Sequence, residues 1–335
     1  MIDMNIVELL NQLNFTTLFL IFIVSKLFIE TYLKTRNIKS INENKEKIPE
    51  RFTDVVTDEE YKKSINYNIE RIRFSILTSV FGVGVLLFFT IGGMLNNLTI
   101  FVQAITASNI LGAILLGLLL IVIGEIIEIP LAVYSTFYIE EKYGFNKTTT
   151  KTFVMDLFKN LLIQSIFSSI LYAIVISIIE NLGNNWWIFA FVAVFLLQLV
   201  IFYIYPVLIL PLFNKFEPLE DEKFKEPIER LLKKIKFKAK GLFVMDGSLR
   251  SSHGNAFFTG FGSNKRIVFY DTLLETITPD EMESILGHEL GHYKLGHIKK
   301  TLISSIFFGF AGFYILGQVF QSENFFYGHG LDELT

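Results

Sequence analysis

The sequence predicts an α-helical polytopic membrane protein that carries a small α+β insert between its last two spans. The 335-residue chain is 51% hydrophobic and only 19% charged, with a mean hydropathy of +0.46. A soluble domain of this size does not need so much apolar surface. The apolar residues are concentrated in six runs, each long enough to cross a bilayer as a helix of about 20 residues. One long polar segment, residues 211–300, separates the last two runs.

The six predicted spans divide the chain into three regions. Residues 1–210 are expected to hold five spans and their loops, 211–300 the polar insert, and 301–335 the sixth span with an outer tail. The first run contains Lys26 near its end and is too long for a cleaved signal peptide. The predicted spans lie near residues 7–29, 72–94, 109–135, 157–180, 186–210 and 301–320.

The distribution of basic residues predicts the orientation of the chain in the membrane. All 30 Lys and Arg lie in the alternate connections 31–73, 136–154 and 211–300, or at a span end beside one of them. Because basic loops remain on the cytoplasmic side, both termini are expected outside and the polar insert is expected to face the cytoplasm. The connections without any Lys or Arg are 95–108, 181–185 and 321–335.

Composition also restricts the cofactors and partners. Cysteine is absent, which excludes disulfides and thiolate-bound zinc, so any metal must be held by nitrogen and oxygen ligands. The formal net charge of −3 at pH 7 and the pI near 6.0 do not indicate a nucleic-acid partner. Membrane lipid is the expected environment of the spans.

The first part of the polar insert is predicted to combine one helix with short strands. Residues 226–238 place apolar side chains at helical spacing, whereas residues 241–245 have the composition of a strand. Residues 256–258 and 266–270 are predicted to pair as strands across a turn-rich connection at 259–264.

A further helix is predicted to begin just after Thr278. Thr278 precedes a proline and, three residues on, a glutamate, which is the pattern of an N-cap with a capping box. About two turns later this helix carries His288, Glu289 and His292 in the pattern His-Glu-x-x-His. Residues four apart share a helix face, so the two imidazoles can bind one cation while Glu289 reaches a water on that cation. This arrangement is typical of zinc proteases, and the alternative is a solvated helix with two incidental histidines.

Together with this motif, four other stretches resemble the Ste24-type membrane metalloproteases, the type I CAAX prenyl proteases. They occur in the same order as in that family and cover roughly residues 125–300, whereas the remainder is similar only in hydropathy. The four stretches are Glu140–Lys147 (EEKYGFNK), Pro211–Phe216 (PLFNKF), Ser251–Phe258 (SSHGNAFF) and Asn264–Val268 (NKRIV).

The resemblance implies a fold of seven spans that enclose a large chamber, with a Zn²⁺ site at its cytoplasmic end. It implies removal of a C-terminal tripeptide from isoprenylated CAAX-type substrates, or in bacteria cleavage of other membrane-associated peptides. By position, His288 and His292 would bind the zinc, and Glu289 would take a proton from the zinc-bound water and pass it to the leaving amine. The membrane would be a bacterial inner membrane or, in a eukaryote, the endoplasmic reticulum.

Substrate binding is expected beside the predicted strand at 256–258. The resemblance places Asn255, followed by Ala256 and Phe257, where the family contacts the substrate backbone. A substrate could add to this small sheet as an edge strand and present its peptide bond to the metal. The alternative for Asn255 is a turn or cap residue, a role that asparagine often takes.

A third zinc ligand is not evident in the sequence. The family places a glutamate after a seventh span, whereas the acids after the motif helix are Glu323, Asp332 and Glu333. The sixth span should deliver these three to the opposite membrane face, about 30 Å away. His297 lies nine residues after His288, which at about 100° per residue is the opposite side of the helix. It could be a ligand only if the helix broke at Gly296, and a polar residue near the membrane boundary is the favoured interpretation.

These 335 residues are therefore expected to be a fragment that lacks the seventh span and the third ligand, binds zinc weakly and is inactive. Two other expectations concern residues away from the motif. Glu125 and Glu128, within the third span, are expected to line the chamber, and the alternative is solvation of their carboxylates at the cytoplasmic interface. Asp156 and Lys159, about one helical turn apart, are expected to pair at the entrance of the fourth span.

Three alternative functions remain open from the sequence. An HtpX-like enzyme that degrades damaged membrane proteins shares the metal motif, but typically has fewer spans ahead of it. A site-2-type protease carries its motif inside an apolar span, whereas here charged residues surround the motif. A non-enzymatic membrane scaffold with an incomplete site is disfavoured by the intact Glu289 and favoured by the missing ligand.

Overall fold

The predicted fold class is confirmed, since long apolar helices precede and follow along the chain a polar insert that contains a small sheet. The described residues form two compact units, one from the described parts of Met1–Tyr143 and Tyr314–Thr335, the other from Gly144–Phe313. The computed structural model describes residues 14–46, 48–234, 237, 240–259 and 265–331.

Five described helical segments are long and apolar enough to cross a membrane, against six predicted spans. The difference arises because the fourth and fifth predicted spans lie in one helical segment, Thr150–Phe213. Its two long helices are joined only by a short 3-10 turn at Gly183–Asn185, and they pack against each other. The helices of this region are α1 (Phe15–Asn44), α2 (Asp58–Phe89), α3 (Met94–Ile105), α4 (Asn109–Tyr134), α5 (Thr150–Leu182), α6 (Trp186–Ile204) and α7 (Leu210–Phe213).

Several helix boundaries differ from the predicted ones. The first predicted span begins at residue 7, outside the described residues, and α1 continues well beyond its predicted end at residue 29. The connection 95–108, expected to be a loop, contains the short apolar helix α3. Gly93 precedes this helix with a φ of +76°, a backbone conformation that glycine adopts without the strain of a side chain.

The polar insert contains a four-stranded mixed sheet. Its strands are ordered β1-β2-β4-β3, with β2 and β4 parallel and the two outer pairs antiparallel. The predicted pairing of the strands at 256–258 and 266–270 is present as β3 with β4, and residues 260–264 of their connection lie outside the described residues. The strands are β1 (Phe216–Pro218), β2 (Gly241–Met245), β3 (Ala256–Thr259) and β4 (Arg266–Tyr270).

Three helices complete the insert, and a further two follow it. The amphipathic helix predicted at 226–238 starts four residues earlier, at Glu222, and part of its predicted end lies outside the described residues. The helices are α8 (Glu222–Lys234), α9 (Asp271–Thr276), α10 (Pro279–Lys294), α11 (His297–Val319) and α12 (Glu323–Tyr327).

The core of the insert forms where α8 and α10 pack against each other and against the sheet. Each of these helices buries three apolar side chains spaced four residues apart, which places them on one face. These side chains are Phe224, Ile228 and Leu232 in α8, and Met282, Leu286 and Leu290 in α10. The sheet contributes Ile267 and Phe269, both almost fully buried.

An ion pair connects the insert to the membrane helix α5. The guanidinium of Arg250 donates through Nε and Nη2 to the two carboxylate oxygens of Asp156, at 2.7 and 2.9 Å, and through Nη1 to Oδ1 of Asn214 at 2.9 Å. The expected pairing of Asp156 with Lys159 is therefore wrong, because the planar guanidinium matches a carboxylate better than a lysine on the next turn does. Lys159 instead donates to the carbonyl of Leu212 at 2.8 Å.

Removing this ion pair should lower the stability of the insert. We expect Arg250→Leu to lower the free energy of unfolding by about 2 kcal/mol, since it leaves a half-buried carboxylate without its charged hydrogen bonds. Arg250→Lys should lose less, and the double variant with Asp156→Leu should lose less than the sum of the single changes. Thermal unfolding of the detergent-solubilised protein measures this. The control is Lys225→Leu, which removes a surface ion pair with Glu222 and is expected to have no measurable effect. Strict additivity of the two changes would contradict the assignment.

Candidate metal centre

The rotation of α10 about its axis determines which side chains face outward. Met282, Leu286 and Leu290 fix the buried face of the helix. His288 and His292 each lie two residues after a member of this stripe, which is about 200° around the helix. Both imidazoles are accordingly exposed on the face away from the core.

The two imidazoles converge on one point. Nε2 of His288 and Nε2 of His292 lie 3.1 Å apart, and their ring planes are nearly perpendicular. Two nitrogens bound to one tetrahedral zinc at the usual bond length lie about 3.3 Å apart. The donor pair in the structure therefore fits a zinc ion with a small adjustment of the two side chains.

Glu289 occupies the flank between this histidine face and the core. It lies one residue after His288 and three after Leu286, and its side chain is half-buried. The carboxylate is therefore next to the histidine pair on the same helix without being one of the two converging donors. This is the position that a proton acceptor for a water near the pair requires.

The start of α10 agrees with its prediction. The hydroxyl of Thr278 accepts from the N–H of Glu281, and the Glu281 carboxylate accepts from the N–H of Thr278 at 2.7 Å, which completes a capping box. These bonds from the backbone and then the hydroxyl of Thr278 hold the pKa of the Glu281 carboxyl below its usual value. The cap satisfies helix N–H groups that would otherwise lack partners, so it sets where the helix begins.

The end of α10 corrects the expectation for His297. The helix does break at Gly296, which has a φ of +66°, and α11 begins at His297. The turn brings Nδ1 of His297 to 2.7 Å from Nδ1 of His292. Helical phase alone had placed His297 on the opposite side. The signal that could have revealed the turn is the glycine itself, since a glycine just after a helix commonly adopts this left-handed conformation.

The predicted substrate strand β3 lies at an edge of the sheet and contacts α10. The N–H of Tyr270 donates to the carbonyl of Asn255, so the alternation of an antiparallel ladder turns the N–H and C=O of Ala256 and Phe258 away from β4. The N–H of Ala256 donates to Oδ1 of Asn255, and the other three outward groups are the ones that an added strand would use.

The side chains of the three predicted substrate residues have different environments. Asn255 is exposed, and its Oδ1 accepts from the N–H of Ala256 at 2.8 Å, which supports the cap interpretation. The methyl group of Ala256 is buried in the core, so only its backbone faces the edge. Phe257 is half-buried and packs edge-on against the ring of Tyr270.

The described residues do not provide a third ligand. Among them, no group of three or more His, Asp or Glu side chains is arranged to hold a metal ion. Glu323 lies in α12, whereas Asp332 and Glu333 lie outside the described residues. Of the two carboxylates predicted to line a chamber, Glu128 borders a cavity of about 740 Å³ between α2 and α4, together with Thr78 and Ser135.

Two protein-family descriptions match consecutive parts of the chain. Residues 37–215 match the CAAX prenyl protease N-terminal family, a region of five membrane helices, and residues 218–330 match peptidase family M48. The boundary between them falls at the start of the polar insert.

Individual proteins match over most of the chain. CAAX prenyl protease 1 of Saccharomyces cerevisiae is 33% identical over 328 residues, which cover 94% of this chain and 72% of that protein. The CAAX prenyl protease 1 homolog of Arabidopsis thaliana is 34% identical over 323 residues, with 93% and 75% covered. The crystal structure of S. mikatae Ste24p is similar with a TM-score of 0.86 at 31% identity, covering 93% of this chain and 73% of that one.

Proposed function

Because the chain belongs to the Ste24-type CAAX prenyl proteases of peptidase family M48, we propose that this integral membrane protease is a zinc endopeptidase. Its substrates are prenylated CAAX-type peptides or other membrane-associated peptides, cleaved near their C-terminus. The observation that carries this proposal is the convergence of Nε2 of His288 and Nε2 of His292 to 3.1 Å, with Glu289 beside them.

The chemistry belongs to the polar insert. His288 and His292 would hold zinc through their Nε2 atoms, and zinc, when bound, supplies a lowered pKa for water and polarisation of the scissile carbonyl. Glu289 accepts a proton from the attacking water and then donates it to the leaving amine. Its half-buried position on the flank of α10 keeps its carboxylate near the reacting groups without occupying a metal position.

The substrate is proposed to lie along β3 as an added strand. The outward C=O of Ala256 and the outward N–H and C=O of Phe258 supply the main-chain hydrogen bonds. Asn255 is proposed to contribute its amide nitrogen at the start of the strand. β3 contacts α10, the helix that carries the histidine pair, and a peptide bond of the added strand is proposed to reach that pair past the flank that carries Glu289.

The site is proposed to face the cytoplasm. The support is the distribution of Lys and Arg, all of which lie in or beside the polar insert and the two other connections on the same side. A prenylated peptide made in the cytoplasm would reach the site from that side.

The other functions receive less support. Residues 37–215 match a family region of five membrane helices, which disfavours an HtpX-like enzyme with fewer spans. A non-enzymatic scaffold is supported by one observation, the absence of a third ligand among the described residues. Zinc content and catalysis therefore decide between the enzyme and the scaffold.

Replacing Glu289 with Gln tests the enzyme. In protein purified from its native membrane, we expect Glu289→Gln to lower kcat by about 10²–10⁴-fold, because the proton acceptor is lost. Zinc content should stay unchanged, whereas His288→Ala should lose zinc and activity together. Peptide hydrolysis and metal analysis of the same samples provide both readouts. Unchanged cleavage by Glu289→Gln would exclude this mechanism.

The 335 residues by themselves are proposed to hold zinc weakly and to have little activity. Among the described residues, two imidazoles provide one ligand fewer than catalytic zinc sites use. Metal content after dialysis should be well below one zinc per chain, and hydrolysis of a prenylated peptide should be close to background. Stoichiometric zinc with robust turnover would contradict this proposal.

Substitutions at Asn255 separate its two possible roles. Asn255→Asp keeps the oxygen that accepts from the N–H of Ala256 but lacks the amide donor, whereas Asn255→Ala lacks both. If the amide binds substrate, we expect both variants to raise KM about tenfold, since the loss of one hydrogen bond weakens binding by about that factor. If Asn255 is only a cap, Asn255→Asp should retain the wild-type KM. Steady-state kinetics on one peptide substrate measure the difference.

A further inference from the structure

Three imidazoles follow one another at the end of α10. Nε2 of His292 lies 3.1 Å from Nε2 of His288, and its other nitrogen, Nδ1, lies 2.7 Å from Nδ1 of His297. The ring of His292 is nearly perpendicular to both neighbours, with centroid distances of 4.8 Å on each side. Both nitrogens of His292 are therefore engaged, each by a different histidine.

The turn at Gly296 produces this arrangement. Its positive φ ends α10 and starts α11 one residue later, and the N–H of Gly296 donates to the carbonyl of Tyr293 at 3.0 Å. Among the described residues, a Cβ atom added at Gly296 would meet no atom within 4 Å beyond its two chain neighbours, so the requirement for glycine is conformational and not steric. His297 is half-buried at the first position of α11, which restricts the directions its ring can take.

A metal-bound imidazole uses one nitrogen, and its other N–H needs an acceptor that fixes the ring. We propose that His297 is a positioning residue that accepts the Nδ1–H hydrogen bond of His292 and thereby directs Nε2 of His292 toward the metal. The assignment rests on the proposed zinc function.

The same geometry argues against His297 as the missing third ligand. The point on which His288 and His292 converge lies on the Nε2 side of His292. His297 contacts Nδ1, which is on the far side of the same ring. Its Nδ1 therefore serves His292 and does not approach the metal position.

The test compares zinc affinities of variants in protein purified from its native membrane, by competition with a chelator of known affinity. His297→Phe keeps a planar ring without an acceptor, and we expect it to weaken zinc binding by about 10- to 100-fold. His297→Asn provides an acceptor oxygen and should recover most of the affinity. His329→Asn is the matched control. Nδ1 of His329 lies 2.6 Å from the carbonyl oxygen of Phe325, away from the three imidazoles of His288, His292 and His297.

A second readout follows the hydrogen bond directly. In the zinc-loaded wild type, ¹⁵N NMR of labelled histidine should show the proton of His292 on Nδ1 in slow exchange with water, and His297→Phe should make that exchange faster. Gly296→Ala, which disfavours the left-handed turn, should weaken zinc binding more than Gly296→Asn.

The outcomes separate this inference from the proposed function. Equal zinc affinity of His297→Phe and wild type would overturn the positioning role while leaving the enzyme intact. Equal weakness of His297→Asn and His297→Phe would also overturn it, since an acceptor restored at this position would then restore no zinc affinity. A wild type that binds no zinc would overturn the proposed function and this inference together.

Discussion

The candidate metal centre depends on one packing constraint, the burial of the apolar stripe of α10. Met282, Leu286 and Leu290 pack into the core formed with α8 and the sheet. Exposing the stripe would return three large side chains to water at about 1.5–3 kcal/mol each. The helix therefore has one favourable rotation, and in that rotation the two imidazoles point outward together. The chemistry of the site is thus a consequence of how the opposite face of the helix packs.

Rotation alone does not specify the site, because the helix must also start and stop at the right residues. The capping box of Thr278 and Glu281 satisfies N–H groups at one end, and the left-handed Gly296 ends the helix at the other. Together they limit α10 to 16 residues. If the helix continued past Gly296, the next residues would rotate by about 100° each and His297 would face away from His292. Because the helix ends at Gly296, the imidazole of His297 lies beside that of His292.

Features that depend on local sequence could be predicted, and those that depend on contacts across the fold could not. The capping box, the apolar runs and the pairing of β3 with β4 follow from periodicity and turn chemistry. The partner of Asp156 could not be predicted, because Arg250 is 94 residues away in the chain. Lys159, one helical turn from Asp156, is the only basic partner that local spacing indicates. The prediction of where His297 lies was wrong for a different reason. Helical phase was extended through a residue whose backbone conformation ends the helix.

The ion pair of Arg250 with Asp156 bears on which substrates the site can accept. Arg250 lies shortly before the loop that enters β3, and its carbonyl also accepts from the N–H of Lys147 and the hydroxyl of Thr148. The entrance of the edge strand is thus bound to the membrane helix α5 and to the segment preceding it. A strand fixed in this way cannot move freely toward a peptide in bulk solvent. The substrate class proposed above, a lipid-modified or membrane-associated peptide, is held at the membrane and would meet the strand there. The bonds that hold Arg250 to α5 are therefore consistent with the proposed membrane-held substrate.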